Sequence, residues 1–301
     1  MKPAKIIECI PNFSEGRDPE IIKAIAAAAS AVSGVRLLDY SWDRDHHRSV
    51  ITFLGEPEYV YEAALAAGSK ALELIDLSCH DGVHPRIGAL DVVPFVPLEG
   101  AKMSDAVACA HRFGRAFAAE HGVPVFFYGE AAKNEASREL PKIRRGGLPG
   151  LIKRMAAGTY KPDEGPDVCP DRSGAVAVGA RMPLIAYNIN LDSSDVGLAK
   201  RIAGVIRESN GGLPSVRAIG VLLKSRNLAQ VSMNLTNFHV TSMREVFDSV
   251  RKEADLAGVS IRESELIGLA PRAALDEETA AYIRLIGFSA QRIIETHLPL
   301  N

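Results

Sequence analysis

The chain is organised around the stretch Ile75-Asp-Leu-Ser-Cys-His80-Asp-Gly-Val-His84-Pro-Arg-Ile-Gly-Ala-Leu-Asp91-Val-Val-Pro-Phe-Val-Pro97. Gly82 lies between its two histidines, and Pro85 follows His84 directly. Because proline favours extended geometry in the residue before it, these positions predict a loop rather than a helix. The apolar run that follows predicts a buried strand over residues 90–96.

His84 in this loop is a candidate general base. The guanidinium of Arg86, two residues further on, disfavours protonation of the imidazole, so His84 should be neutral near pH 7 and able to accept a proton. The alternative is an ordinary surface or hydrogen-bonding histidine, which is the commoner role in a loop. His80 could share a metal ion with His84 if the two lay on one helical face, but the glycine and the proline argue against a helix.

The segments on either side predict the order β-α-β-β-α-β, and this order occurs twice. Apolar runs and helix-start signals such as Asp18-Pro19 define the elements. The first copy comprises strands at 5–10, 35–40, 49–54 and 90–96, with helices at 18–32 and from 55–57 onwards. The second copy comprises strands at 184–191, 215–224, 228–235 and 259–267, with one helix capped by Asp192 and another capped by Thr241.

Two copies of this pattern predict an α+β protein with two ferredoxin-like subdomains, at residues 1–182 and 183–301. A four-stranded sheet with helices on one face leaves its other face in need of a partner. We therefore expect the open faces of the two halves to approach each other and form a shared groove, which is a common location for a ligand site. The segment after Arg272 should be largely helical.

A connecting region separates the two copies, with a helix expected at 104–120 and a strand at 123–128. Residues 138–161 then contain seven basic side chains and one acidic side chain, that of Glu139. Such a run is more often a solvated helix face, although clustered positive charge can also attract an acidic ligand. The following loop, 165–174, has glycine at both ends and two prolines within, and its pattern alone fits a plain linker.

Composition and charge favour a soluble cytoplasmic protein. The chain has 301 residues, 47% hydrophobic and 24% charged, and its net charge of −2 gives no reason to expect a nucleic-acid partner. We expect no membrane partner, since no apolar run approaches the ~18 residues of a membrane span and the N-terminus lacks the apolar core of a signal peptide. The four cysteines show no paired spacing, which is typical of reduced cytoplasmic thiols.

Other catalytic motifs are weak. The sequence contains no Walker loop or dinucleotide fingerprint, and Ser14 lacks a nucleophile elbow. One polar cluster between two predicted strands could ligate a metal ion by residue type: Asp43, Asp45, His46 and His47. A metal-dependent hydrolase using this cluster and the two loop histidines is a rival hypothesis. Four such residues more often form a polar hairpin turn, so we expect no metal.

Three segments of the chain resemble a known family. They are Glu8-Cys-Ile-Pro-Asn-Phe-Ser-Glu-Gly16, His84-Pro-Arg-Ile-Gly-Ala-Leu-Asp91 and Leu228-Ala-Gln-Val-Ser-Met-Asn-Leu235. Together they are similar to glutamate formimidoyltransferase, the formiminotransferase half of the bifunctional formimidoyltransferase-cyclodeaminase, from about residue 6 to the C-terminus. The resemblance implies the same ferredoxin-like fold, with the two halves packed together closely enough to exchange terminal strands. It also implies transfer of a formimidoyl group between N5 of tetrahydrofolate and the amino group of L-glutamate, in histidine degradation.

The same resemblance assigns roles to individual residues. It implies that His84 is the catalytic acid/base, that tetrahydrofolate is a co-substrate and that no metal takes part. It implies folate binding by a loop comprising Gly165, Pro166, Asp167, Val168, Cys169, Pro170, Asp171, Arg172, Ser173 and Gly174. We also expect a homodimer, and no cyclodeaminase activity on this polypeptide.

The substrates suggest further candidate residues. L-Glutamate and N-formimidoyl-L-glutamate carry two carboxylates, which favour an arginine fork, and the candidates are Arg86 and Arg48. Asn12, Asn188 and Asn190 suit the edge of a pterin or a tetrahedral intermediate, or they serve only as hydrogen-bonding groups of loops and strand ends. Two rivals remain: a glutamate formyltransferase, whose donor carbon is also planar and of similar size, and a folate-binding module without catalysis.

Overall fold

The computed structural model describes residues 4–298, and the chain divides into two compact units, one ending at Arg181 and the other beginning at Met182. The first unit contains seven strands and five α-helices. The strands are β1 (Ile7–Cys9), β2 (Asn12–Phe13), β3 (Val35–Asp43), β4 (Arg48–Gly55), β5 (Leu90–Pro97), β6 (Val125–Gly129) and β7 (Val176–Ala180). The helices are α1 (Pro19–Ser30), α2 (Pro57–Leu74), α3 (Met103–His121), α4 (Leu140–Ile143) and α5 (Gly147–Ala156).

The sheet of the first unit has a ferredoxin-like part and an extension. β1 and β2 each pair antiparallel with β4 on one side and β5 on the other, so they act as one strand interrupted near Pro11. β3 completes this part by pairing with β4, which confirms the predicted β-α-β-β-α-β order. β7 and β6 then extend the sheet in parallel beyond β5, and the sequence pattern predicted only β6 of these two.

Both faces of the extension are covered within the first unit. Phe127 joins the main core beside α3, whereas its neighbour Phe126 belongs to a smaller apolar cluster with residues of α4 and α5. Successive residues of a strand point to opposite faces of a sheet, so these two clusters lie on opposite sides of β6. The expectation of a four-stranded sheet with one bare face is therefore wrong for this end of the first unit.

The second unit is a ferredoxin-like α/β sandwich, as predicted. Its elements are β8 (Ile185–Leu191), α6 (Val196–Ile206), β9 (Val216–Leu223), β10 (Leu228–Leu235), α7 (Met243–Leu256), β11 (Ile261–Ile267) and α8 (Glu277–Tyr282). The sheet is antiparallel in the order β11-β8-β10-β9. Every strand pairing found within residues 4–298 joins strands of the same unit, so the implied exchange of terminal strands is not observed there.

Helix boundaries in the second unit differ from the predicted ones. Asp195, not Asp192, caps α6 by accepting a hydrogen bond from the backbone N–H of Leu198. Ser242, not Thr241, begins α7, because Ser242 and Glu245 form a reciprocal capping box. The segment after Arg272 was expected to be largely helical, but its described part, residues 273–298, contains only α8 and two short 3₁₀ turns, at residues 290–292 and 294–297.

No α-helix in the part of the chain that the structure describes is long and apolar enough to cross a membrane.

Candidate active site

His84 lies in the loop between α2 and β5, as the glycine and proline around it predicted. Its Nδ1 is 2.8 Å from the carbonyl oxygen of Pro85. Because a carbonyl oxygen can only accept a hydrogen bond, Nδ1 carries the proton in the neutral ring and Nε2 carries the lone pair. Nε2 is therefore the atom of His84 that can accept a proton.

Arg86 holds this loop against the turn between β3 and β4. Its Nη1 and Nη2 donate to the carbonyl oxygens of His47 and His46, at 3.1 and 2.9 Å. Nε and Nη2 also donate to the carbonyl oxygen of His84, and Nη1 donates to the ring of His80. All five guanidinium N–H groups are thus used within the protein, so the main role of Arg86 in this arrangement is to fix the backbone on both sides of the loop.

Gly82 lets these two segments approach closely. A Cβ atom at this position would lie 2.5 Å from the guanidinium of Arg86, 2.7 Å from the carbonyl oxygen of His46 and 2.8 Å from Cβ of His47. Two of these three contacts involve the backbone or a Cβ atom, which cannot swing aside. A larger residue would therefore push the loop away from the β3–β4 turn.

A buried carboxylate joins two arginines close to His84. Nη1 of Arg48 donates to Oδ2 of Asp91 at 2.5 Å, and Nη2 of Arg144 donates to the same oxygen. The other oxygen of Asp91 accepts from the backbone N–H of Ile87 at 2.8 Å. Asn12 accepts from Nε and Nη2 of Arg48, at 3.1 and 2.8 Å, so the orientation of Arg48 is fixed from two sides.

This cluster has one more positive than negative charge, and the pKa values reflect that excess. Burial would raise the pKa of Asp91, but Arg144 and Arg48 hold it below its usual value. Burial lowers the pKa of Arg48 to about 10, which leaves it charged at neutral pH. Burial, together with the charges of Arg48 and Arg144, holds the pKa of His84 well below its usual range, so its ring is neutral near pH 7.

The other histidines of this region form a layer beside the loop. The rings of His47 and His80 stack with their centroids 3.6 Å apart. Nδ1 of His47 donates to the carbonyl oxygen of Asp81 at 2.6 Å, and its Nε2 is 3.3 Å from Glu15. Burial and the charge of Arg86 lower the pKa of His80 to about 4, so His80 is neutral as well.

The residues proposed as a possible metal cluster form a hairpin turn. A carboxylate oxygen of Asp43 accepts a hydrogen bond from the backbone N–H of His46, which closes the turn. Within residues 4–298, no three histidine, cysteine, aspartate or glutamate side chains are arranged to hold a metal ion.

The loop at residues 165–174 ends beside the His84 loop. The carbonyl oxygen of Ser173 accepts from the backbone N–H of Ala89 at 2.9 Å, and that of Arg172 accepts from Leu77 at 3.0 Å. Val168, in the middle of the loop, is 73% exposed, whereas Cys169 is buried in the smaller apolar cluster of the first unit. The structure thus anchors the C-terminal end of this loop to the candidate site and leaves its middle at the surface.

Asn188 and Asn190 lie on β8 of the second unit, and both are buried. Nδ2 of Asn190 donates to Glu263 and Glu265 on β11, at 3.0 and 2.6 Å, and its Oδ1 accepts from Gln230 on β10 at 2.8 Å. Arg226 forms ion pairs with both glutamates. The sequence analysis did not predict the three partners of Asn190, which are Gln230, Glu263 and Glu265. Residues two apart on a strand point to the same face of a sheet, so polar residues at this spacing in buried strands were the signal for such a cluster.

Two family models cover most of the chain. The N-terminal subdomain of the formiminotransferase domain matches residues 6–181, and the formiminotransferase domain matches residues 186–295. A glutamate formimidoyltransferase from Streptococcus pyogenes serotype M1 is 41% identical, with 98% of this chain and 99% of that relative covered. This chain belongs to the formiminotransferase family.

Further relatives include both single-function and bifunctional proteins. A glutamate formimidoyltransferase from Thermoplasma acidophilum is 41% identical, with 96% of each chain covered. A formimidoyltransferase-cyclodeaminase from Gallus gallus is 45% identical over 93% of this chain, but that match covers only 53% of the relative. These matches confirm the family that the resemblance of three sequence segments predicted.

Asp91 and Arg144 are the residues of this formiminotransferase site that the sequence reasoning missed. In the sequence, Asp91 stands out only as the end of a family-like segment, and Arg144 only as one member of a basic stretch. A charged side chain within a buried apolar strand is costly unless it is paired, so Asp91 itself signalled a buried cation. Nothing in the sequence identified which of the many arginines that cation would be.

Proposed function

We propose that this protein is a glutamate formimidoyltransferase, which moves a formimidoyl group between N5 of tetrahydrofolate and the amino group of L-glutamate. The observation that carries this proposal is the match over nearly the full length of both chains to proteins of that name. Tetrahydrofolate acts as a co-substrate, and the other substrate is L-glutamate or N-formimidoyl-L-glutamate. The free thiols of Cys9, Cys79, Cys109 and Cys169 suit the reducing cytoplasm, where we propose that the enzyme works.

His84 carries the proton in this proposed reaction. The amino group of glutamate attacks the formimidoyl carbon, and Nε2 of His84 takes the proton that the amine must lose. The bond between that carbon and N5 then breaks, and His84 returns the proton to N5. One bond forms, one breaks and one proton is relayed, so the histidine ends the cycle in its starting state.

The environment of His84 suits both proton transfers, the uptake from the amine and the return to N5. Its lowered pKa keeps Nε2 unprotonated and ready to accept a proton at neutral pH. The imidazolium formed after proton uptake is disfavoured by Arg48 and Arg144, so it gives the proton up readily to N5. The hydrogen bond from Nδ1 to Pro85 keeps Nε2 as the reactive atom throughout.

Several candidate residues retain proposed binding roles. We assign the exposed middle of the 165–174 loop to folate, since the end of this loop is anchored beside residues 87–89. Arg48 and Asn12 contribute to the polar wall next to His84. Asn188 is proposed as a hydrogen-bonding group for substrate on the second unit, whereas Asn190 acts by ordering the polar cluster of Glu263, Glu265 and Gln230. Arg86 acts by holding the His84 loop in place.

One assay tests the proposed function and its nearest rival. The purified enzyme is incubated with L-glutamate and either 5-formimidoyltetrahydrofolate or 5-formyltetrahydrofolate, and the modified glutamate is identified by mass spectrometry. We expect N-formimidoylglutamate from the first donor and much slower turnover of the second. Formylglutamate as the only product would establish the formyltransferase instead, and folate binding without any product would indicate a non-catalytic folate binder.

A further inference from the structure

The three arginines near His84 differ in how many of their donors are already used. All five N–H groups of Arg86 are hydrogen-bonded, and Arg48 is held by Asp91 and Asn12. Arg144 donates from Nη2 to Asp91, but its Nε is buried and has no acceptor within the described chain. A buried guanidinium N–H without a partner is costly, so Arg144 is the arginine best prepared to take an additional acceptor.

The charge of the cluster indicates what that acceptor should be. Arg48 and Arg144 share the single carboxylate of Asp91, and only 10% and 12% of their side chains are exposed. An unbalanced positive charge in such a position is unfavourable, and an anion bound there would relieve it. A carboxylate is the anion that a guanidinium pairs with best, because its two oxygens match the planar fork.

The turn that carries Arg144 is built to hold it in place. Arg144 ends α4, and Gly146 and Gly147 follow with φ angles of 77° and 61°, which reverse the chain into α5. Arg154 braces the turn from the next helix by donating to the carbonyl oxygens of Ile143 and Lys142, at 2.6 and 3.0 Å. A guanidinium fixed in this way loses little freedom when a ligand binds.

From these observations we infer that Arg144 binds the α-carboxylate of the amino-acid substrate next to His84. The inference rests on the proposed function and adds a binding residue to it. In glutamate, the α-carboxylate and the reacting amine are attached to the same carbon, so a carboxylate at Arg144 places the amine close to the proton acceptor. The carboxylates of folate cannot meet this condition as easily, because the aminobenzoyl group separates them from N5.

A substrate carboxylate bound to Arg144 would also affect the protonation of His84. The positive charges of Arg48 and Arg144 oppose protonation of His84 in the free enzyme. A carboxylate bound to Arg144 offsets part of that charge, so the proton affinity of His84 rises when the acceptor is in place. The base is thereby strengthened at the step in which it must take a proton.

The experiment compares Arg144→Gln and Arg144→Lys with the neighbouring variant Arg145→Gln. Arg145 is exposed and adjacent in sequence, so it controls for removal of one positive charge from this turn. Each enzyme is assayed for transfer to L-glutamate and to 4-aminobutyrate, which is glutamate without its α-carboxylate. Thermal unfolding of each variant separates loss of fold from loss of binding.

We expect Arg144→Gln to raise the KM for glutamate by about tenfold to hundredfold, the usual effect of losing a charge-assisted hydrogen bond, with the KM for folate nearly unchanged. The preference for glutamate over 4-aminobutyrate should collapse in this variant, recover partly in Arg144→Lys, and persist in Arg145→Gln. A merely structural role would lower activity on both acceptors equally.

Two results would overturn the inference. One is an active Arg144→Gln enzyme that keeps the full preference for glutamate; the other is a rise in the KM for folate alone, which would assign Arg144 to the folate carboxylates. If the wild-type enzyme transfers no formimidoyl group to glutamate, the proposed function itself has failed, and that outcome is seen before any variant is compared.

Discussion

At the scale of single residues, one hydrogen bond determines which nitrogen of His84 is reactive. Nδ1 faces the carbonyl oxygen of Pro85, so Nε2 holds the lone pair. Burial and two guanidinium groups disfavour the imidazolium, and they leave the ring neutral where an ordinary histidine would begin to protonate. The direction of this pKa shift can be measured without any substrate.

We expect Nε2 of His84 to be unprotonated at about pH 6 in the free enzyme. An unperturbed histidine, with a pKa of about 6.5, is mostly protonated at that pH, whereas a lowered pKa keeps the neutral form. Histidine-selective ¹⁵N NMR distinguishes the two forms, with His84→Asn used to assign the signal. The Arg144→Gln variant should titrate at higher pH than the wild type, and an imidazolium spectrum at pH 6 in the wild type would refute the proposed charge environment.

A second prediction at this scale concerns Asp91. Asp91→Asn should destabilise the fold by about 3–5 kcal/mol, because it removes the counter-ion that two buried guanidinium groups share. The free energy of unfolding is measured by urea denaturation, with Asp171→Asn as a matched control at an exposed position. Equal stabilities of the two variants would show that Asp91 is not an essential counter-ion.

The features of the site that could be predicted are those determined by residues close together in the sequence. The loop conformation of His84 followed from Gly82 and Pro85, which are its near neighbours in sequence. The pair of Asp91 and Arg144 joins residues 53 positions apart, and only the fold brings them together. For the same reason, the sequence could not show that Arg86 uses its donors internally, since its main acceptors lie on the β3–β4 turn.

At the scale of elements, apolar periodicity located most helices and strands but missed those with mixed signals. β7 is a five-residue run of small and apolar residues directly after a loop, too short to show a period. The pattern of the α4–α5 region indicates only a basic stretch, because Gly146, Gly147 and Pro149 obscure its two short helices. Arg144 lies in that region. Because the two short helices were not predicted, the position of Arg144 in the site could not be predicted either.

The contact between the His84 loop and the β3–β4 turn gives a prediction for this scale. Gly82→Ala should lower kcat by roughly 10²-fold, since a shift of about 1 Å in a catalytic group has that effect, while most of the fold persists. Circular dichroism and steady-state kinetics provide the two measurements. Gly204→Ala is the control, because a Cβ atom there meets only an ordinary contact within a helix, and its activity should be unchanged.

A fully active Gly82→Ala enzyme would mean that the loop can leave the β3–β4 turn without harm to catalysis. In that case, the five hydrogen bonds of Arg86 would serve stability alone.

At the scale of the whole molecule, two ferredoxin-like units were predicted from a repeated order of elements, and both are present. The elements that enlarge the first unit fall outside the repeat; apolar runs predicted α3 and β6 among them, but β7 and the short helices α4 and α5 were not predicted. These additions place Arg144 and the end of the 165–174 loop beside the His84 loop. The chemistry we propose therefore depends on the part of the first unit that departs from the repeat.

The central claim is that this enzyme transfers a formimidoyl group with His84 as its proton carrier. The most direct test is the kcat of His84→Ala with 5-formimidoyltetrahydrofolate and L-glutamate, measured beside folate binding and beside His239→Ala, an exposed histidine of the second unit. We predict that kcat falls by ~10²–10⁴ in His84→Ala, with folate affinity nearly unchanged and His239→Ala fully active. Near-normal turnover by a correctly folded His84→Ala enzyme would contradict the account.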